Sequence, residues 1–243
     1  LPTTAMKYQR GRCLVVAGSE RFPGAAHLAL QGAMASGCGS VQAVLPARVA
    51  QTLWQVIPEV IVESDAMPLE RLDGVLFGPG LGVDPQVWAH WSERLLRFEG
   101  LLVLDADGLN GLAASADGWR WLLKRQGPTW LTPHGAEFAR LFPHCCGSDQ
   151  LNNAIAAARC SGCCVLHKSA HSVVAEPQGS GVVLVETSPW AARTGLGDIL
   201  AGFCTGWGAK TLAAKGEPDL ESFAAAACLH GYAAAEARSS EAT

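Results

Sequence analysis

The chain has 243 residues, a length that suits one large α/β domain or two small ones. Hydrophobic residues make up 49% of it and charged residues only 16%, which favours a large buried core and excludes a disordered chain. The formal net charge is −4 and no basic tract is present, so nucleic acid is not an expected partner. No apolar run approaches the roughly 20 residues that cross a bilayer, so no membrane association is predicted.

Apolar strand-like runs alternate with helix-like segments along most of the chain. Strands are predicted at 12–17, 40–45, 59–63, 73–77, 101–104, 129–132 and 163–168, with helices between most of them. This alternation predicts an α/β fold with a central, mostly parallel sheet that is covered by helices on both faces. Runs at 172–175 and 182–186, joined by a Gly-rich turn, predict a hairpin and therefore an antiparallel edge. Two further helices are expected, one from about 195 to 209 and one from about 217 to 238.

The chain has no linker and no internal repeat, so a single domain spanning 1–243 is expected. It lacks Gly-x-Gly-x-x-Gly, since Val83 stands at the third glycine, and it has no P-loop lysine pattern. A dinucleotide-binding Rossmann fold and a P-loop enzyme are therefore disfavoured.

Nine cysteines are present, including an adjacent pair at 145–146 and a Cys-x-x-Cys-Cys run at 160–164. Cys-x-x-Cys is compatible with half of a zinc site or with a redox pair, but adjacent cysteines disfavour a site with four ligands. The other four lie singly in apolar stretches, where cysteine packs as a small buried side chain. We therefore expect reduced cysteines, no protein-held metal and a cytoplasmic location.

Segment 194–202, Thr-Gly-Leu-Gly-Asp-Ile-Leu-Ala-Gly, places two glycines before an acid at the start of a helix. Free N–H groups at a helix start bind anions, and glycine lets the backbone approach a ligand closely. Asp198 would then be placed to act as a base on a hydroxyl group that is being phosphorylated. In the alternative interpretation the segment is only a Gly-rich loop entering a packed helix, with Asp198 as its cap.

Other chemically distinctive residues follow the carboxyl ends of predicted strands, where ligands of open α/β sheets bind. The Gly-Pro-Gly-Leu-Gly loop at 78–82 allows close approach to a ligand or forms an ordinary turn. Asp105 and Asp107, with Asn110, either hold Mg²⁺ or a polar ligand, or serve as a helix cap and a local ion pair.

Two more strand ends carry a titratable side chain. His134 is a candidate substrate contact or a structural histidine. Lys168 is a candidate phosphate-binding cation, or a lysine that extends from the surface to solvent.

These motifs occur in one order: Gly18-Ser19 with Gly24-Ala25-Ala26, Gly78 to Gly82, Asp105 to Asn110, Thr132-Pro133-His134 with Glu137, Lys168, and Gly195-x-Gly197-Asp198. The ordered set resembles the ADP/ATP-dependent NAD(P)H-hydrate dehydratases of the ribokinase-like superfamily, over roughly residues 7–232. The resemblance implies a ribokinase-like fold. It also implies repair of hydrated NADH or NADPH, in which ADP or ATP, with Mg²⁺, phosphorylates the ring hydroxyl and loss of phosphate restores the double bond.

The resemblance also implies roles for particular residues. Asp198 is the expected catalytic base, and the amides of Gly195, Leu196 and Gly197 are expected to hold the transferred phosphoryl group. Expected nucleotide contacts are Lys168, Ser169, Ala170, His171, Ser172, Gly195 and Gly197. Expected contacts of the hydrated cofactor are Ala25, Gly80, Gly82, Asp107, Asn110, His134 and Asp198.

The chain departs from the family pattern in three places. His-Pro-Gly-Glu becomes His-Gly-Ala-Glu at 134–137, and Lys-Gly-x-x-Thr becomes Lys-Ser-Ala-His-Ser at 168–172. Before Asp198, one glycine and a small polar residue are replaced by Thr194 and Leu196. Two alternatives therefore stay open, namely a small-molecule kinase of the same superfamily and a degenerate domain that binds nucleotide without catalysis.

The assembly of the protein is also an expectation at this point. Members of the family often form homo-oligomers and often carry a fused N-terminal epimerase domain. The first residue is Leu1 rather than Met, so we expect a processed product or part of a longer bifunctional polypeptide.

Overall fold

The computed structural model describes residues 6–185 and 192–241. The strands are β1 (Arg12–Val16), β2 (Ser40–Val44), β3 (Ile61–Val62), β4 (Gly74–Phe77), β5 (Leu101–Leu104), β6 (Thr129–Leu131), β7 (Cys164–His167), β8 (Val173–Ala175) and β9 (Gly181–Val183). The α-helices are α1 (Pro23–Ala35), α2 (Ala47–Leu53), α3 (Pro85–Arg97), α4 (Ala106–Ala114), α5 (Gly135–Leu141), α6 (Gln150–Ser161), α7 (Leu196–Lys215) and α8 (Leu220–Glu241).

Within the described residues the strands form one sheet in the order β3-β2-β1-β4-β5-β6-β7-β8-β9. Neighbours from β3 through β7 are parallel, whereas β7, β8 and β9 pair antiparallel. The predicted parallel sheet with an antiparallel edge is thereby confirmed. Because the parallel strands point the same way, their carboxyl ends lie along one edge of the sheet.

The core lies on both faces of the sheet because successive side chains of a strand point to opposite sides. Val15 packs in one cluster with α1, α7 and α8, whereas its neighbours Leu14 and Val16 pack in the other with α3 to α6. Buried strands with both faces covered explain the uninterrupted apolar runs in the sequence.

Helix α7 is longer than predicted, since it runs to Lys215 rather than to about Ala209. Glycines occur within this helix because α1 packs so closely against it that side chains would not fit. A side chain at Gly202 would overlap Ala29 of α1, and a side chain at Gly32 of α1 would overlap Ile199 of α7. This close packing of α1 against α7 places the start of α7, with Asp198, at the carboxyl edge of the sheet.

Other element boundaries also differ from the sequence prediction. Helix α8 begins at Leu220 because Asp219 accepts a hydrogen bond from the Ser222 amide, and α6 begins at Gln150 because Asp149 caps it in the same way. Strand β9 ends at Val183, and Glu186 of the predicted strand lies outside the described residues. No helix in the described part of the chain is long and apolar enough to cross a membrane.

Candidate active site

The ends of β5, β6 and β7 are joined by a buried polar network. Asp105 follows β5 and is 2% exposed, and its Oδ1 accepts hydrogen bonds from Thr132 Oγ1 and Lys168 Nζ, each at 2.7 Å. Burial alone would lower the pKa of Lys168, but Asp105 and then Glu137 outweigh it, so this pKa is raised and the amine is charged. Asp105 thus forms an ion pair, and its partner Lys168 is distant in the sequence.

His134 caps α5 and stands beside this network. Its Nδ1 accepts from the Ala136 amide at 3.1 Å, and its own amide donates to Glu137 Oε2 at 2.9 Å. A backbone bridge pairs His134 with Lys168, so the ends of β6 and β7 are adjacent. The pKa of Glu137 is raised by burial, and Lys168 offsets part of that increase.

Asp198 lies in the first turn of α7 and is half-buried. Its pKa is raised to about 6, chiefly by burial and next by the charge of Asp105, whereas Lys168 acts in the opposite direction. Asp107 and Glu137 also raise this pKa, so acids that follow two neighbouring strands, β5 and β6, act on Asp198. A carboxylate with such a pKa is mostly ionised at neutral pH and is more basic than a solvated aspartate.

The backbone at the start of α7 differs in one respect from the expected anion site. The amide of Leu196 donates to the Arg193 carbonyl at 3.2 Å, so it is engaged in the turn that enters the helix. Gly195 is the N-cap residue, and Gly197 lies in the first turn. A side-chain carbon added at Gly197 would lie 3.6 Å from Lys168 Nζ, which places the lysine beside this turn.

A first cavity of about 630 Å³ opens between this turn, α8 and the segment that follows β7. Its lining includes the predicted nucleotide contacts Lys168, Ser169, Ala170, His171, Ser172 and Gly197, together with His134. The hydroxyl of Ser169, at one of the departures from the family pattern, donates to Gln150 Oε1 at 2.9 Å and accepts from the His171 amide at 3.1 Å. The serine therefore stabilises this segment.

A second cavity, of about 700 Å³, lies near α3 and α4. Asp107, which lines it, accepts from the Gly82 amide at 2.8 Å and from Asn110 at 3.3 Å. Asn110 in turn accepts from Arg140. Asp107 also raises the pKa of Asp198, so its charge acts both in the second cavity and on the first turn of α7.

The predicted residues thus fall into separate groups. Lys168 to Ser172, His134 and Gly197 face the first cavity, whereas Gly82, Asp107 and Asn110 face the second. Ala25 and Gly80 pack against each other, since a side-chain carbon at Gly80 would lie 2.6 Å from Ala25 Cβ.

Sequence interpretation missed Arg140 and His230. Arg140 lies one helical turn after Glu137 on α5, and it belongs to none of the motifs found in the sequence. His230 belongs to α8, is distant in sequence from every motif, and lines the first cavity.

Metal-ligating side chains do not cluster in the described part of the chain, where no group of three or more suits a metal ion. All nine cysteines lie within this part, and each is a free thiol. The two cysteine groups singled out from the sequence therefore form neither a disulfide nor a metal centre here.

The fold and site define a ribokinase-like α/β protein. The chain matches a Bacillus subtilis ADP/ATP-dependent NAD(P)H-hydrate dehydratase, co-crystallised with ATP/Mg²⁺, with a TM-score of 0.79 and 27% identity over 96% of this chain and 82% of that one. An Enterococcus faecalis ribokinase-like superfamily protein shares the fold, with a TM-score of 0.81 and 23% identity over 96% of this chain and 81% of that one.

The sequence comparison is more specific. The model of the NAD(P)H-hydrate dehydratase family matches residues 13–243, so the chain belongs to that family. It is 42% identical over 214 residues to a bifunctional NAD(P)H-hydrate repair enzyme Nnr of Gloeobacter violaceus, which covers 83% of this chain and 41% of that protein. The Synechocystis counterpart is 38% identical over 219 residues, or 84% of this chain and 41% of that protein. The chain thus spans about two fifths of the length of these curated relatives.

Proposed function

We propose that this chain catalyses the ADP- or ATP-dependent dehydration of hydrated NADH or NADPH. Membership of the family supports the reaction class, and the B. subtilis protein co-crystallised with ATP/Mg²⁺ supports an adenine nucleotide as co-substrate. The observation that carries the proposal is the position of Asp198, a half-buried carboxylate with a pKa of about 6 in the first turn of α7.

Asp198 is the general base of the proposed first step. The ring hydroxyl oxygen attacks the terminal phosphorus of the nucleotide, its proton passes to Asp198, and the bond from phosphorus to the departing AMP or ADP oxygen breaks. In the second step, phosphate leaves the ring carbon with the bonding electrons and the neighbouring carbon loses a proton to solvent. The double bond of the reduced nicotinamide is thereby restored.

Charge on the transferred phosphoryl group is stabilised by the start of α7 and by Lys168. We assign the phosphate contacts to the amides at Gly197 and Asp198 rather than to Leu196, whose amide is engaged with Arg193. Asp105 holds the charged amine of Lys168 beside Gly197. The amine therefore needs to move little during phosphoryl transfer.

The two cavities provide separate volumes for the two substrates. We assign the first to the nucleotide, with Lys168, Ser169, Ala170, His171, Ser172, Gly195 and Gly197 as its contacts. The hydrated cofactor binds toward the second, with Ala25, Gly80, Gly82, Asp107 and Asn110 as its contacts there and His134 as a contact from the first cavity. We propose that the ring hydroxyl of the bound cofactor is within reach of Asp198.

The described residues do not form a preassembled set of Mg²⁺ ligands. Asp105 is committed to Lys168 and Thr132, and Asp107 to Gly82 and Asn110. We therefore propose that Mg²⁺ arrives with the nucleotide phosphates, and no step here depends on a protein-bound ion.

The repair assay tests this function. The protein is incubated with hydrated NADH and ADP or ATP, and recovery of the reduced-cofactor absorbance is followed together with release of inorganic phosphate. We expect both signals, in equal amounts. A phosphorylated product without recovery would indicate a kinase, and nucleotide binding without turnover would indicate a degenerate domain.

The wider setting of the chain is part of the proposal. We propose that residues 1–243 form one dehydratase domain, that it forms homo-oligomers, and that it is fused to an N-terminal epimerase domain. The word bifunctional in the name of the relatives, and their greater length, support a fused second domain. Free thiols at all nine cysteines support a reducing, cytoplasmic environment. Sequencing the gene upstream of Leu1 and measuring the mass of the native protein test these points.

A further inference from the structure

Arg140 is a charged side chain that the proposed mechanism does not use. It lies on α5, one helical turn after Glu137, and it lines the second cavity. Its guanidinium donates a hydrogen bond to Asn110 Oδ1 on α4. The side chain therefore connects α5 to α4 at the wall of this cavity.

The group that holds Arg140 is a neutral amide. Asn110 Nδ2 donates to Asp107 Oδ1 at 3.3 Å, which orients the amide with its oxygen toward the guanidinium. In the part of the chain that the structure describes, no carboxylate forms an ion pair with Arg140. A guanidinium has five N–H donors, so the contact with Asn110 leaves donors and an unpaired positive charge for a ligand.

The charges around the second cavity favour an anion at Arg140. Arg140 is the only cation among the described residues that line this cavity. The acids that line it are engaged within the protein, since Asp84 caps α3 and Asp117 pairs with Lys124 at 2.6 Å. Asp107 accepts hydrogen bonds, as described above. An anionic group of a ligand in the second cavity therefore finds its favourable partner in Arg140.

The position of Arg140 indicates which anionic group it meets. Arg140 and Asn110 each lie one helical turn, about 5 Å, from the strand-end residues Glu137 and Asp107. In a nicotinamide dinucleotide, one ribose separates the ring from the pyrophosphate, whereas the 2′-phosphate of NADPH lies on the distant adenosine. If the ring is bound at the strand ends, the pyrophosphate is the group that comes within reach of Arg140.

We propose that Arg140 binds the pyrophosphate of the hydrated cofactor, with its guanidinium held in position by Asn110. This inference rests on the proposed binding of the cofactor toward the second cavity. The planar guanidinium can donate two parallel hydrogen bonds to phosphate oxygens. Because NADH and NADPH share the pyrophosphate, Arg140 contributes equally to the binding of both.

Calorimetric titration with NADH and NADPH tests the inference without turnover, with ADP kept saturating so that the first cavity is occupied. Arg140→Gln removes the charge and should weaken the binding of both dinucleotides about tenfold. The Kd for ADP, measured alone, should stay within about threefold of wild type. Arg140→Lys keeps the charge and should recover part of the loss. Arg97→Gln makes the same change on α3, outside this cavity and at a side chain that is 77% exposed, and should leave all three Kd values unchanged.

The repair assay adds a kinetic readout. Arg140 contacts a part of the cofactor that does not change during the reaction, so Arg140→Gln should raise KM for hydrated NADH about tenfold and leave kcat within about threefold of wild type. A fall in kcat with an unchanged KM would contradict this role.

Three binding results would overturn the inference: an unchanged Kd for NADH in Arg140→Gln, a loss confined to NADPH, which would indicate a 2′-phosphate contact, or equal losses for NADH and ADP, which would indicate a structural role. Wild-type protein that repairs no hydrated cofactor, but whose NADH binding depends on Arg140 as expected, would instead refute the proposed function and support the inference.

Discussion

Lys168 Nζ lies 2.7 Å from Asp105 Oδ1, although the two residues are 63 positions apart in the sequence. The pair joins the ends of β5 and β7 across β6, whose neighbouring Thr132 donates to the same carboxylate oxygen. Asp105 is almost fully buried and the Lys168 side chain is 19% exposed, so the pair is well protected from solvent screening. The cation beside the first turn of α7 is therefore held in a defined position.

Neutralising the two members of this pair should move the pH dependence of activity in opposite directions. The acidic limb of kcat/KM should lie near pH 6, where Asp198 ionises. Asp105→Asn removes a charge that raises the pKa of Asp198, so the limb should move to lower pH. Lys168→Met removes a charge that lowers it, so the limb of the residual activity should move to higher pH.

A pH profile for each variant checks this prediction. Glu93→Gln, at an exposed position of α3, is the control and should leave the limb in place. Shifts of both variants in the same direction would contradict the electrostatic account of Asp198.

Asp198→Asn should stabilise the protein at neutral pH. Because the folded-state pKa of Asp198 is raised, the native protein binds protons more tightly than the unfolded chain, and wild-type stability falls as pH rises from about 4 to about 6. The asparagine variant lacks this loss. Its melting temperature relative to wild type should therefore increase over that window and then level off, which thermal melts from pH 4 to 8 would show. A difference in melting temperature between the two proteins that does not change with pH would contradict this prediction.

Gly80→Ala should destabilise the protein more than Gly82→Ala. Both glycines have left-handed backbones, with φ of 64° and 85°, so both variants carry that strain. Only the carbon added at Gly80 meets a neighbour, Ala25 Cβ at 2.6 Å, whereas nothing lies within 4 Å at Gly82. We expect an additional loss of about 1–3 kcal/mol at Gly80 in chemical denaturation. Equal losses of stability in the two variants would contradict this prediction, because they would show that the packing of Ala25 against Gly80 can adapt to the added carbon.

The sheet could be predicted because each buried strand is a short apolar run bounded by turn residues. Helix α7 could be predicted through its glycines as far as about Ala209, although glycine is unfavourable within helices by about 1 kcal/mol. The need for Gly202 to pack against Ala29 overrides that preference, and the relevant contact is invisible in the sequence.

The candidate site, like the fold, could be predicted from the sequence only in part. Asp105, His134 and Lys168 could be placed at one edge because parallel strands end together. Their partners depend on side-chain direction, so the sequence could not tell that Asp105 pairs with Lys168. His230 reaches the cavity only through the packing of α8 against α7, which local patterns do not encode.

The most direct test of Asp198 as the base combines turnover with binding in Asp198→Asn. Asparagine keeps the shape of the side chain but cannot take up the hydroxyl proton. We expect kcat for hydrated NADH to fall by at least about a hundredfold, whereas the Kd for ADP from calorimetry stays within about threefold of wild type. Activity close to wild type in the folded variant would contradict the proposed mechanism.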